Sequence, residues 1–191
     1  MATWLGVDVG GARKQFDAAL IDERSLLWRG ARLSQQEVLA VAFEHRVNVV
    51  AVDAPCACAA PGERSRRAER ELAAAVCHIR YTPDEREVRA NEFHDWVVRG
   101  LALHRALEAA GRRAVEVFPT ASFTRWVGPR AGERRSAWSA RALATLGLEG
   151  TTGRMSQDAR DAIAAAATAR QLDRGECELF GGQLAVPRQR R

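Results

Sequence analysis

Apolar positions fall into short, strand-sized runs through the first third of the chain and into longer helical periods afterwards, which predicts an α/β order of elements. Thr3 to Val9 is an apolar strand broken only by Asp8, and it runs into Gly10-Gly11. The runs 15–21 and 25–31, parted by Asp22-Glu23-Arg24, predict a hairpin. Ser34 with Glu37 three residues on is a capping-box pattern, and the apolar spacing after it predicts a helix. Val47 to Asp53 is nearly continuous and β-branched, as expected of a parallel strand covered on both faces. Glu92 to Ala110 predicts an amphipathic helix that Gly111 ends, and Ala114 to Phe118 a strand that stops at Pro119. Tyr81 to Arg89 reads as loop, residues 134–146 as a helix, and Ser156 to Leu172 as a long, alanine-rich helix. One domain over residues 1–186 is expected, followed by a basic, disordered tail at 187–191.

At 191 residues such a chain can bury a core without disulfides or zinc. Cys56, Cys58, Cys77 and Cys177 lack paired metal-ligand spacing, so they read as reduced thiols in a cytoplasmic protein. No apolar stretch reaches the length of a membrane span, and Asp8 interrupts the first apolar run, so no membrane role is expected. The formal charge is +5, and Lys14 is the one lysine among 29 cations. Arginine forks suit phosphate, which favours a nucleic-acid partner, although an alanine- and arginine-rich chain also has the look of a coding bias.

The acids change the picture more than the net charge does. Asp8 and Asp53 each sit at the end of an apolar strand, and ligands of open α/β sheets bind outside those carboxyl ends. Glu116 lies inside a third apolar strand, where it must pair with an arginine or join an acidic site. Asp158 and Asp161, three apart, share a face of the late helix; as first-turn acids they also suit its dipole. Carboxylates gathered in one place call for Mg²⁺ or Mn²⁺, and two such ions support phosphodiester hydrolysis without a nucleophilic side chain. Gly10 and Gly11 would then give a substrate backbone room to approach. Arg64, Arg67 and Arg70, also three apart, form either a phosphate-binding face or one side of a solvated helix with local ion pairs.

Gly6 to Gly11, Val52-Asp53-Ala54-Pro55, Arg67 to Arg70, Glu116 to Ala121 and Asp158 to Ala165 resemble, in order and over nearly the whole chain, the motifs of a predicted-nuclease family, domain of unknown function 429. The resemblance implies a ribonuclease H-like fold: a central mixed sheet, with an N-terminal antiparallel hairpin followed by parallel strands, and helices on both faces. The Asp-x-x-Asp-Ala pattern is also similar to that of RuvC-type resolvases. By that likeness Asp8, Asp53 and Asp161 are the core metal ligands and Asp158 assists, while Glu116 matches a family motif without a transferable role. The resulting expectation is a metal-dependent nuclease acting on DNA or RNA, of unknown oligomeric state. Two other readings stand beside it. An actin-like or sugar-kinase nucleotide-binding protein would use Asp8-Val9-Gly10-Gly11 as a phosphate loop, and a non-catalytic nucleic-acid-binding protein would use the acids only as caps and ion pairs.

Overall fold

The structure, a computed structural model, describes residues 2–11 and 14–189. They form one seven-stranded sheet from β1 (Trp4–Val9), β2 (Phe16–Ile21), β3 (Leu26–Leu33), β4 (Val49–Asp53), β5 (Ala114–Val117), β6 (Cys177–Phe180) and β7 (Leu184–Pro187). The order across it is β3-β2-β1-β4-β5-β7-β6. β1, β2 and β3 are antiparallel, β1, β4, β5 and β7 are parallel, and β6 runs antiparallel to β7. The expected mixed sheet with an N-terminal hairpin is therefore present.

Seven helices cover it: α1 (Gln35–Glu44), α2 (Arg67–Ala75), α3 (Glu85–Ala90), α4 (Asp95–Ala109), α5 (Pro119–Val127), α6 (Arg135–Ala144) and α7 (Gln157–Asp173). Side chains alternate along each strand, so each face has its own core. Trp4, Ala19, Val49, Ala51 and Val117 pack with Phe123 of α5, Trp138 of α6 and the alanines of α7. Leu5, Val7, Val50 and Val52 pack on the other side with Val38 of α1 and with Leu103 and Leu107 of α4. Among the described residues, no helix is long and apolar enough to cross a membrane.

Local chemistry explains the element starts. The Ser34 capping box is closed, with Ser34 N–H donating to Glu37 Oε2 at 2.7 Å and Glu37 N–H to Ser34 Oγ at 3.3 Å. Ser156 Oγ accepts from Ala159 N–H at 3.0 Å and caps α7. The structure adds to or departs from the sequence reading at three places. The loop expected at Tyr81 to Arg89 holds α3, because Asp84 caps it by accepting from Glu87 N–H at 2.9 Å. β6 and β7 are only four residues each, too short for an alternation to show in the sequence. Of the residues expected as a tail, Pro187 is the last residue of β7 and Arg188 N–H donates to Glu176 O at 2.9 Å; residues 190–191 lie outside the described residues.

The contact of α7 with β1 fixes the rest. A Cβ on Gly6 would stand 2.0 Å from Ala162 O and 2.2 Å from Ala166 N, both backbone atoms. Glycine on the strand and alanine on the helix let the two backbones nearly touch. Gly6→Ala is accordingly expected to destabilise the fold by about 1–3 kcal/mol, since neither backbone can give way locally. Urea unfolding would show this as a lower midpoint with an unchanged slope. An unchanged midpoint would mean that α7 can shift freely.

Candidate functional site

Asp8 and Asp53 are register partners in the parallel pair β1 and β4, so their carboxylates leave the same face at the C-terminal ends of the two strands. It is the face that α7 covers, because Gly6, two residues before Asp8, is the one pressed against that helix. Asp17 of β2 is the antiparallel partner of Asp8 and shares this face; its Oδ1 accepts from Arg32 N–H at 3.1 Å. Asp161 and Asp158 come from the first two turns of α7, which the Gly6 contact holds close. The predicted set Asp8, Asp53, Asp158 and Asp161 is thus brought to one edge.

Its charge is only partly answered. Asp8 is pushed up to about 8 by burial first, then by Asp161, Asp158 and Asp17, with Lys14 opposing. Asp53 is raised well above the usual carboxylate range by burial and by Asp8 and Asp161, against Arg135. Burial also raises Asp161, and Arg135 and Gln157 hold it back. Arg135, the first residue of α6, donates to Asp161 Oδ2 at 2.9 Å, and Gln157 Nε2 donates to Oδ1 at 2.9 Å. Lys14 donates to Asp158 Oδ2 at 2.9 Å across a largely exposed pair.

Among the described residues no group of three or more His, Cys, Asp or Glu side chains is arranged to hold a metal ion. The donor chemistry nevertheless fits a hard divalent cation. Asp8, Asp53 and Asp161 offer only oxygen, and all three hold their protons more tightly than usual, first because they are buried and then because of neighbouring acids.

Glu116 does not join them. It pairs in register with Val52, one residue before Asp53, so alternation sends its carboxylate to the opposite face. There Arg66 grips it with two bonds, Nη1 to Oε2 at 2.6 Å and Nη2 to Oε1 at 2.5 Å. The same guanidinium reaches Glu69, with Nε donating to Oε1 at 2.9 Å. Cys56 N–H donates to Glu116 Oε2 at 2.9 Å, and Thr82 N–H to Glu69 Oε2 at 3.0 Å. The side chains of Arg66, Glu69 and Glu116 are 5%, 0% and 2% exposed. Of the two readings the sequence left for Glu116, the pairing with an arginine is present, and Glu116 also lines a cavity together with Asp53.

The expected arginine face is also dispersed. Arg67 Nε donates to Glu71 Oε1 at 2.6 Å, and Arg70 Nη1 to Ser65 O at 2.6 Å, while Arg64 is exposed before the helix. Arg67 and Arg70 line a cavity of about 340 Å³ that touches Arg66 but none of the aspartates. Gly10 serves the β1–β2 turn: its N–H donates to Gln15 O at 2.9 Å, and a Cβ there would meet Lys14 Cβ at 2.5 Å. Among the described residues, a Cβ on Gly11 would meet nothing within 4 Å. A larger cavity, of about 460 Å³, opens beside Asp53, and its lining includes Asp53, Arg135 and Glu116 together with Trp96, His78 and Arg80.

A family model described as protein of unknown function, DUF429, matches residues 6–185. The chain belongs to DUF429. No curated protein matches it. The DUF429 chain is similar in fold to the Thermus thermophilus RuvC structure, at TM-score 0.53 and 16% identity, over 91% of this chain and 96% of that one. It is also similar to T. thermophilus RuvC in complex with Holliday junction substrate, at TM-score 0.50 and 17% identity, over 92% and 97%. The ribonuclease H-like architecture expected from the motifs is therefore that of this DUF429 chain.

Four residues at the site escaped the sequence reading: Arg66, Arg135, Lys14 and Asp17. Arg66 had a signal, because a buried glutamate at Glu116 requires a cation, but the spacing of Arg64, Arg67 and Arg70 drew attention away from the arginine between them. Asp17 was legible once the hairpin register was known. Nothing local marks Arg135, which reaches Asp161 only through the packing of α6 on α7.

Proposed function

We propose that this DUF429 chain is a metal-dependent nuclease that hydrolyses phosphodiester bonds of nucleic acid, with Asp8, Asp53 and Asp161 holding Mg²⁺ or Mn²⁺ and Asp158 assisting. The observation that carries the reading is the convergence of carboxylates from β1, β4 and α7, with their protons held unusually tightly, beside an open cavity. The fold shared with RuvC, one structure of which holds a Holliday junction substrate, makes a nucleic acid the natural ligand of such an edge. When bound, a divalent cation supplies Lewis-acid polarisation of the phosphate and acidification of water. The chain's own residues do the rest. The carboxylates provide oxygen ligands, and Arg135 and Lys14 can exchange Asp161 and Asp158 for phosphate oxygens. Glu116 has no part at the reacting phosphate; through Cys56 N–H it steadies the segment that follows Asp53.

The test pairs a binding readout with an activity readout. Mn²⁺ is expected to raise the melting temperature of the purified chain and to support cleavage of labelled DNA or RNA, and Asp161→Asn is expected to lose both. A melting shift that survives in Asp161→Asn would place the ion elsewhere. Cleavage that persists in EDTA would rule out the metal.

A further inference from the structure

The lining of the larger cavity includes His78, Arg80 and Trp96, and two exposed aromatic rings stand beside these residues. Phe93 is 55% exposed and Tyr81 44% exposed, and both stand next to residues that line the cavity. Arg80 lies over the Phe93 ring at 4.6 Å, and His78 faces Tyr81 with ring centroids 6.5 Å apart. Trp96 adds a third aromatic side chain to the cavity lining. Single exposed apolar side chains need no explanation, but two exposed rings beside a cavity, one under a guanidinium and one against an imidazole, do.

The rim is also held in place. Thr82, next to Tyr81, donates its N–H to the buried Glu69, and Asn91 Oδ1 accepts from Phe93 N–H at 2.9 Å. The rings are therefore presented by fixed backbone rather than by a wandering loop. Aromatic faces and guanidinium planes in this arrangement stack on nucleobases, and the guanidinium of Arg80 can meet the phosphates between them. A duplex hides its base faces and is too wide to enter a cavity of about 460 Å³. A single strand, or a nucleotide turned out of a duplex, presents both a face and a backbone.

Resting on the nuclease reading for the position of the reacting phosphate, we infer that the substrate is engaged as unpaired nucleotides, with bases stacked on Phe93, Tyr81 and Trp96 and the backbone led past Arg80 and Arg135 to Asp53. Specificity then lies in strand state more than in base sequence, since stacking tolerates every base.

Fluorescence anisotropy in EDTA, with one labelled oligonucleotide presented as a single strand, as a blunt duplex and as an abasic strand of equal length, tests this on the full chain. The single strand is expected to bind about tenfold or more tighter than the other two, and Phe93→Ala and Tyr81→Ala each to weaken it about tenfold. Phe93→Trp is expected to retain binding. Both rings are exposed, so melting temperatures should not move, and an unchanged melt ties any loss to binding. Equal affinity for duplex and single strand, or ring variants that bind as the parent does, overturns the inference. A Mn²⁺ cleavage assay on the same oligonucleotides separates it from the nuclease reading. Ring-dependent single-strand binding without cleavage supports this surface and sinks the nuclease, whereas cleavage indifferent to the rings sinks this surface alone.

Discussion

Asp8→Asn is expected to abolish Mn²⁺-dependent cleavage and the Mn²⁺-induced rise in melting temperature, while making the metal-free protein more stable than the parent above neutral pH. The two effects have one cause. In the folded chain Asp8 holds its proton up to about 8, against an ordinary 3.8. Between those values the folded state keeps a proton that the unfolded state has released, so the parent loses stability as pH rises. The loss runs at about 1.4 kcal/mol per pH unit for this group and levels off once Asp8 is ionised in both states. Asp53 and Asp161 are raised too and act with the same sign. Asparagine keeps the shape and carries no charge, so the variant's stability should depend less steeply on pH by one proton's worth between about 4 and 8. Denaturant midpoints across that range, in EDTA, measure the slope directly. A variant with the parent's slope would be evidence that Asp8 is not the strained carboxylate, whatever its effect on cleavage.

Arg66→Ala is expected to cost about 3–5 kcal/mol, the largest stability loss of any single substitution considered, because it leaves two carboxylates buried without a cation. Glu69 and Glu116 are fully enclosed, and backbone donors from Cys56 and Thr82 can answer only part of their charge. Lowering the pH should restore part of the loss in the variant, since protonation removes the unpaired charges. Arg66→Met combined with Glu116→Met and Glu69→Met should fold better than Arg66→Ala, as apolar replacement of a whole buried ionic group is often tolerated. Urea unfolding of the three proteins separates these outcomes. If Arg66→Ala loses no more than a typical surface substitution, roughly half a kcal/mol, the carboxylates must find solvent or another cation in its absence.

The sheet was legible where long runs or strong start signals encode it: Val47 to Asp53, the Ser34 capping box and the alanine run of α7 all lie where their patterns place them. The last two strands were not, because four residues give too few alternations to distinguish a strand from a loop. The acids divide in the same way. Asp8 and Asp53 were legible as neighbours because both end strands, and the parallel register makes them partners. Glu116 resembled them only as an acid in a buried strand. Its face depends on register by a single residue, and a one-residue offset reverses the direction of the side chain. The cations at the site were the least legible, since each reaches its acid through a contact that crosses from one element to another.

Gly6 and the small residues of α7 have one more consequence. Because the gap between helix and strand at Gly6 is set by backbone atoms, no side chain stands there whose repacking could adjust it. A protein whose acids were spaced by bulky core residues could drift gradually toward a wider or narrower ion-binding edge by swapping one hydrophobe for another. Here that route is closed in steps smaller than a methyl group. Divergence in what the edge recognises is therefore channelled into the rim, the β1–β2 turn and α6, which can vary while the distance between helix and strand stays constant.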